Sequence, residues 1–265
     1  MPLSVATWNI NSVRLRIDLV RRLLAERRPD ILCLQETKCV DASFPKKAFR
    51  QAGYRHFAMH GQKGYHGVAI ISRRPLEAID RRAFCGKDDA RHIAATVMHK
   101  GRPIVVHNFY IPAGGDEPDP EINPKFHHKL TFLDEMQACM AAIAVPGSIL
   151  VGDLNVAPLE TDVWSHKQLL RVVSHTPPET ERFERARTAG GWVDLMRQFV
   201  PPEEKLFTWW SYRSPDWTKN DRGRRLDHIW VTPDLARQAT ALSVLKHARS
   251  WARPSDHVPV IATFQ

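Results

Sequence analysis

Five short apolar runs in this 265-residue chain end on, or open from, acidic and amide side chains, and these are the groups able to do chemistry. Leu3-to-Thr7 leads into Trp8-Asn9-Ile10-Asn11, Ile31-to-Leu34 into Gln35-Glu36, and Ile149-to-Val151 into Gly152-Asp153-Leu154-Asn155. Arg225-Leu226-Asp227 precedes Ile229-Trp230-Val231, and Ser255-Asp256-His257 opens the last run. Taken singly, an Asp or Asn at a strand end is ordinary turn chemistry, because its side chain bonds nearby backbone. Five such ends on one rim would instead gather oxygen donors around one imidazole, and in open α/β folds ligands collect at strand ends. Glu36 follows an apolar run directly, where burying a carboxylate is costly unless a cation pairs it. Carboxylate and amide oxygens, without thiolate and with one positioned histidine, suit a hard cation such as Mg²⁺ or Mn²⁺ rather than zinc. Such an ion neutralises charge developing on a phosphate ester while a carboxylate takes a proton from an attacking water. A His-Asp pair then has a use, since the carboxylate orients the imidazole and favours its charged form.

Strands must carry these ends to a common rim. Leu3–Thr7, Ile31–Leu34, Val68–Ile71, Ile93–Val97, Ile104–Val106, Ile149–Val151, Ile229–Val231 and Val258–Ala262 read as strands, several of them buried on both faces. Val13, Ile17, Val20 and Leu24 share one helical face, and two further helices are expected from about Phe126 to Ala144 and from Glu179 to Ala189. The segment from Pro112 to Pro120 is the one breaker-rich loop. No linker or repeat divides the chain, so a single α/β domain over residues 1–265, with packed sheets under outer helices, is the economical expectation.

A composition of 43% hydrophobic and 25% charged residues excludes disorder and fibre. The formal charge is +9, from 26 Arg and 12 Lys against 29 acidic residues, and arginine's planar fork favours phosphate-bearing partners. Cys33, Cys39, Cys85 and Cys139 lie too far apart for a zinc motif. No signal segment or long apolar run is present, which points to a reduced, cytoplasmic protein with no membrane partner.

The ordered strings Trp8-Asn9-Ile10-Asn11-Ser12-Val13-Arg14, Leu34-Gln35-Glu36-Thr37-Lys38, Gly152-Asp153-Leu154-Asn155, Arg225-Leu226-Asp227 and Ser255-Asp256-His257 resemble the signature of the exonuclease III and abasic-site endonuclease family. The resemblance implies a four-layered α/β sandwich, two packed and mostly antiparallel sheets flanked by helices. It also implies a metal environment of Glu36, Asn9, Asn11 and Asp256, joined by Asp153 and Asn155. On the same resemblance Asp153 orients or deprotonates the attacking water and Asn155 helps hold it. His257, steadied by Asp227, contacts the scissile phosphate, and Tyr110 approaches it as hydroxyl donor or as phenolate. Trp8 is expected in the core. Asn11 replaces an aspartate of some relatives, which removes one formal charge.

The implied activity is a Mg²⁺-dependent (Mn²⁺ possible) exodeoxyribonuclease III-type nuclease on double-stranded DNA. It would work as a monomer, digesting and cleaning 3′ ends and incising 5′ to abasic sites. Phe207-Thr208-Trp209-Trp210-Ser211-Tyr212-Arg213 and Asp221-Arg222-Gly223-Arg224-Arg225 interleave aromatics with arginines, a composition that can wedge an opened base step. One of Trp209 and Trp210 would then be packing. The resemblance assigns Trp209 and Leu226 to a pocket for a base-less sugar, and Arg14, Lys38, Lys63-Gly64-Tyr65 and Arg73 to DNA contacts, with Arg249 and Arg253 extending the basic face. Arg224 and Ala113 depart from that pocket's usual residues. The alternative is a superfamily phosphoesterase acting on RNA or an inositol phosphate. A third reading, a non-catalytic binding module, is disfavoured because Glu36, Asp153, Asn155, Asp227 and His257 are all present.

Overall fold

The computed structural model describes residues 2–213 and 216–265. In chain order its strands are β1 (Leu3–Asn9), β2 (Ile31–Gln35), β3 (His56–His60), β4 (Val68–Ser72), β5 (Glu77–Asp80), β6 (His92–His99), β7 (Arg102–Tyr110), β8 (Ser148–Asp153), β9 (Val193–Asp194), β10 (Trp209–Trp210), β11 (Gly223–Arg224), β12 (Asp227–Val231), β13 (Ala239–Val244) and β14 (Val260–Phe264). The helices that matter below are α1 (Ile17–Arg27), α2 (Lys46–Gln51), α3 (Pro124–Ile143), α4 (His166–Leu169) and α5 (Pro177–Ala189).

Two six-stranded sheets form, in the orders β13-β14-β1-β2-β4-β3 and β5-β6-β7-β8-β12-β9. Each is mixed, with one parallel pair at its centre, β1–β2 in the first and β7–β8 in the second. The other ladders are antiparallel, and read from β3 and from β5 the two sheets carry the same sequence of pairings.

The alternation of side chains explains the layering. Along β1 and β2, Leu3, Val5, Ile31 and Cys33 point inward and meet Ile93, Val106, Val151 and Ile229 of the other sheet. Ala6, Trp8, Leu32 and Leu34 point outward and are covered by Val20 and Leu23 of α1 and Phe49 of α2. On the far side, Phe109, Leu150 and Trp230 pack under Phe132 and Met136 of α3 and Phe183 of α5. The result is the expected four-layered sandwich, whose central strands are apolar on both faces.

Several boundaries differ from the sequence reading. The first helix starts at Ile17, because Ser12 and Val13 are held by backbone bonds to Glu36 and Thr37. The last strand is Val260–Phe264, two residues later than its apolar run suggests. The third helix gains a turn's start at Pro177 through a Thr176–Glu179 capping box. β3, β5 and β13 carry too little apolar alternation to stand out, and every residue of β5 is exposed. The four cysteines are free.

Candidate active site

The strand directions bring the predicted ends to one rim. Asn9 ends β1, Glu36 follows β2, Tyr110 ends β7, Asp153 ends β8, Asp227 opens β12, and Asp256-His257 lead toward β14. Asn11, Glu36, Lys38 and Asn155 all take left-handed φ values, +47°, +50°, +51° and +52°. Such backbone costs roughly 1 kcal/mol or more per non-glycine residue, and here it turns side chains off the strand ends into the rim. Gly152, at φ +147°, lets β8 approach β7 closely, since a Cβ there would lie 1.9 Å from the Phe109 carbonyl oxygen.

The Asn9 amide donates 2.8 Å bonds to both Glu36 Oε1 and Asp153 Oδ2. His257 Nδ1 lies 2.8 Å from Asp227 Oδ2, and its Nε2 lies 3.5 Å from Asp153 Oδ2. Burial disfavours a charged His257, but the Asp227 and Asp153 carboxylates outweigh it and raise the imidazole's pKa well above its ordinary value. Burial also raises the Asp153 carboxyl, against the pull of His257. The Tyr110 hydroxyl is pushed up by burial and then by Glu36 and Asp153, which favours the neutral phenol. Asn155 is fixed through Nδ2 to the Ile111 carbonyl, 2.8 Å, and its backbone N–H reaches Asp153 Oδ1, 3.1 Å.

Glu36 carries its own cation, as its place beside the core demands. Burial opposes its charge, yet Lys38 Nζ, 2.8 Å from Oε2, and the Asn9 amide keep the carboxyl below its usual value. Lys38 Nζ also lies 2.6 Å from Asn11 Oδ1, and Asn11 Nδ2 reaches Asp256 Oδ1 at 3.2 Å. Lys38 is thus turned into the rim, with its side chain still 30% exposed. A cation seated between Glu36 and Asn11, with Asp256 next to it, is what a hard-metal site of oxygen donors would offer. Ligand atoms of Asp153, Asp227 and His257 also fall within 4.8 Å of one another.

The rim forms the floor of a cleft of about 820 Å³, whose wall is built by Trp164, Val172, Val173, Trp209, Arg224 and Leu226, among others. Trp209 Nε1 donates to Asp256 Oδ2 at 3.0 Å, while Trp210 is buried in the outer core and bonds Asp221. Trp209 is therefore the cleft residue and Trp210 the packing one. Arg224 lies 5.3 Å over the Trp209 ring and ties Nη1 to the Val173 carbonyl, 2.9 Å, and Ser174 Oγ, 2.8 Å. Arg222 covers Trp164 in the same way at 4.7 Å. Leu226 packs with Ala157, Val163 and Leu169 of α4. Neighbouring Arg225 is fully buried on Asp162 and Asp194, which fixes the entry to Asp227.

Residues 6–257 match the Endonuclease/Exonuclease/phosphatase family. The chain belongs to that family. It is 30% identical to exodeoxyribonuclease III of Haemophilus influenzae, an alignment that covers 98% of both chains. Among solved structures, an AP endonuclease from Archaeoglobus fulgidus superposes with a TM-score of 0.90 at 31% identity over 99% of each chain. A 3′-5′ exonuclease from Neisseria meningitidis superposes with a TM-score of 0.89 at 32% identity, over 99% of this chain and 100% of that one.

Within the family frame, not every expected contact falls beside the rim. Arg14 is exposed close to it, and Tyr65, 69% exposed, sits near His66, whose ring faces Tyr110 at 6.0 Å. Arg73 follows β4, which runs antiparallel to β2, so it lies at the opposite edge beside Asp30 and away from the site. Arg249 is buried against the Trp210 carbonyl and the Tyr212 ring, so it adds nothing to the basic face. Arg253 is exposed. Trp8 is core and donates from Nε1 to the His257 carbonyl at 3.0 Å. Sequence reasoning missed Trp164 and the 172–174 wall; the one available signal was a tryptophan two residues past Asp162, in a segment without periodicity.

Proposed function

We propose that the chain is one catalytic domain and a metal-dependent DNA repair nuclease, monomeric and cytoplasmic, that removes nucleotides and blocking groups from 3′ ends and incises duplex DNA 5′ to abasic sites. The observation that carries this reading is an imidazole placed between two carboxylates, next to a cation-holding carboxylate and an aromatic cleft. The names of the relatives point the same way. No helix among the described residues is long and apolar enough to cross a membrane.

Glu36, Asn11 and Asp256 would hold Mg²⁺ or Mn²⁺, with Asn9 bracing Glu36. When bound, the ion supplies positive charge for the phosphoryl oxygens of the transition state. Asp153 accepts the proton of the attacking water, a task suited to a carboxyl whose pKa is raised. Asn155 helps hold that water. His257 presents Nε2–H to a non-bridging oxygen, with Asp227 fixing its ring and charge. Tyr110 donates its hydroxyl to the same phosphate. Trp209, Arg224 and Leu226 receive the sugar of the altered or terminal nucleotide, and exposed Arg14 and Tyr65 meet the flanking backbone. Recognition then depends on how easily a nucleotide leaves the stack rather than on base sequence.

The test offers purified protein, with Mg²⁺, an internal abasic site, a blunt duplex end, a 3′-phosphate, RNA and an inositol phosphate side by side. Cleavage of the duplex DNAs alone is expected. Turnover confined to RNA or to the inositol phosphate would overturn the proposal.

A further inference from the structure

Behind the cleft wall lies an ion pair that the chemistry above does not use. Lys129 of α3 and Glu179 of α5 are both fully buried, with Nζ 2.5 Å from Oε1. An ammonium has three donors. Those of Lys129 meet Glu179, the Asn155 carbonyl at 2.7 Å and the Ala113 carbonyl at 3.3 Å. The Glu179 carboxylate in turn accepts from Ser174 N at 2.9 and 3.0 Å, from Thr176 N at 3.1 Å and from the Thr176 hydroxyl at 2.6 Å. Gly114 packs directly against this arrangement. At its φ of +94°, a Cβ would lie 2.9 Å from both Lys129 Cδ and Val173 Cγ1. Ala113, Asn155, Val173 and Ser174 all line the cleft.

Simple helix pairing does not account for this. α3 and α5 already pack through Phe132, Met136, Met140 and Phe183. A buried ion pair loses its hydration, and apolar residues of similar volume hold two helices as well or better. Apolar residues cannot, however, fix carbonyls and amides. Every bond of the pair beyond the ion pair itself ends on Asn155, on the cleft-lining segments or on Thr176 beside them.

We infer that Lys129 and Glu179 are positioning residues that set Asn155 and the cleft wall as one unit, tying the rate of hydrolysis to the choice among abasic and 3′-terminal substrates. This rests on the nuclease reading. The test is the double variant Lys129→Met/Glu179→Gln, which leaves no lone buried charge. kcat and KM are measured for duplexes bearing an abasic analogue, a normal 3′ end or a 3′-phosphate, beside circular dichroism and Tm. Expected are a folded protein, a kcat lowered about tenfold on every substrate, and a ratio of kcat/KM between abasic and normal ends changed about threefold or more. A purely structural role would lower the active fraction alike for all three and leave KM and the ratios in place. A folded double variant with unchanged ratios overturns the inference. Should the double variant not fold, Gly114→Ala decides, because it keeps both charges and presses on Lys129 and Val173; a wild-type ratio there overturns the inference too. Wild-type protein inert on all three duplexes would instead defeat the nuclease reading beneath it.

Discussion

Asp153 and Asp227 are partners across the β8–β12 ladder, and their carboxylates reach opposite nitrogens of the same imidazole. Strand register therefore sets the two carboxylates side by side, and together they raise the pKa of His257 against the effect of its burial. Two strands that are remote from His257 in sequence thus set its protonation.

Asp227→Asn should keep the ring in place but remove the charge that stabilises it, lowering cleavage by about 100-fold or more. The sign for pH follows: losing an anion lowers the imidazole's raised pKa, so the alkaline limb of the kcat profile moves to lower pH. A pH–rate series on the abasic duplex checks both, and an unmoved limb would remove Asp227 from this role.

Excess EDTA should abolish cleavage, and Mg²⁺ or Mn²⁺ should restore it. Glu36→Ala and Asp153→Ala should each fall by about 100-fold or more with the fold intact by circular dichroism. Activity that survives EDTA contradicts the metal assignment.

Arg224→Leu should free the Val173–Ser174 wall and remove the guanidinium stacked on Trp209. The expected outcome is abasic incision raised relative to 3′ digestion, read from parallel assays on one protein preparation. An unchanged ratio would take Arg224 out of substrate selection.

Arg14→Ala should weaken duplex binding at every sequence and reduce the slope of log K against log salt by about 1. Binding isotherms at several ionic strengths test this. A loss that does not depend on salt would speak against a phosphate contact.

Acid should destabilise the fold through His107 and His228. Burial lowers each from an ordinary 6.5 to about 4, ahead of the nearby Arg82 and Arg225 charges. The unfolded chain takes up protons first, so stability is full above about pH 6.5 and is lost as pH falls toward 4. The loss is on the order of 3 kcal/mol for each ring by pH 4. Urea midpoints between pH 7 and 4.5 should show this slope, and His228→Gln should flatten it.

The sandwich and the rim were legible because the central strands are apolar on both faces and stop on acids and amides, a signal local to each strand. Other features depend on what the chain meets in space. Arg73 carries the same composition cue as Arg14, yet the direction of β4 puts it at the wrong edge. Lys38 looks like a surface lysine until the left-handed turn at Glu36 folds it inward. The cleft wall around 172–176 has no period of its own and is shaped by Glu179 and Arg224.

Both ends of the chain meet inside the first sheet, where β14 lies against β1 and Ser255 Oγ grips the Asn9 carbonyl at 2.7 Å. The segment from β5 to β12, with the other half of the rim, is threaded between them. The hydrolytic centre is thus divided between the sheets: Asn9 and His257 come with the first and Asp153 and Asp227 with the second, so the imidazole meets its carboxylates only where the two sheets close on each other.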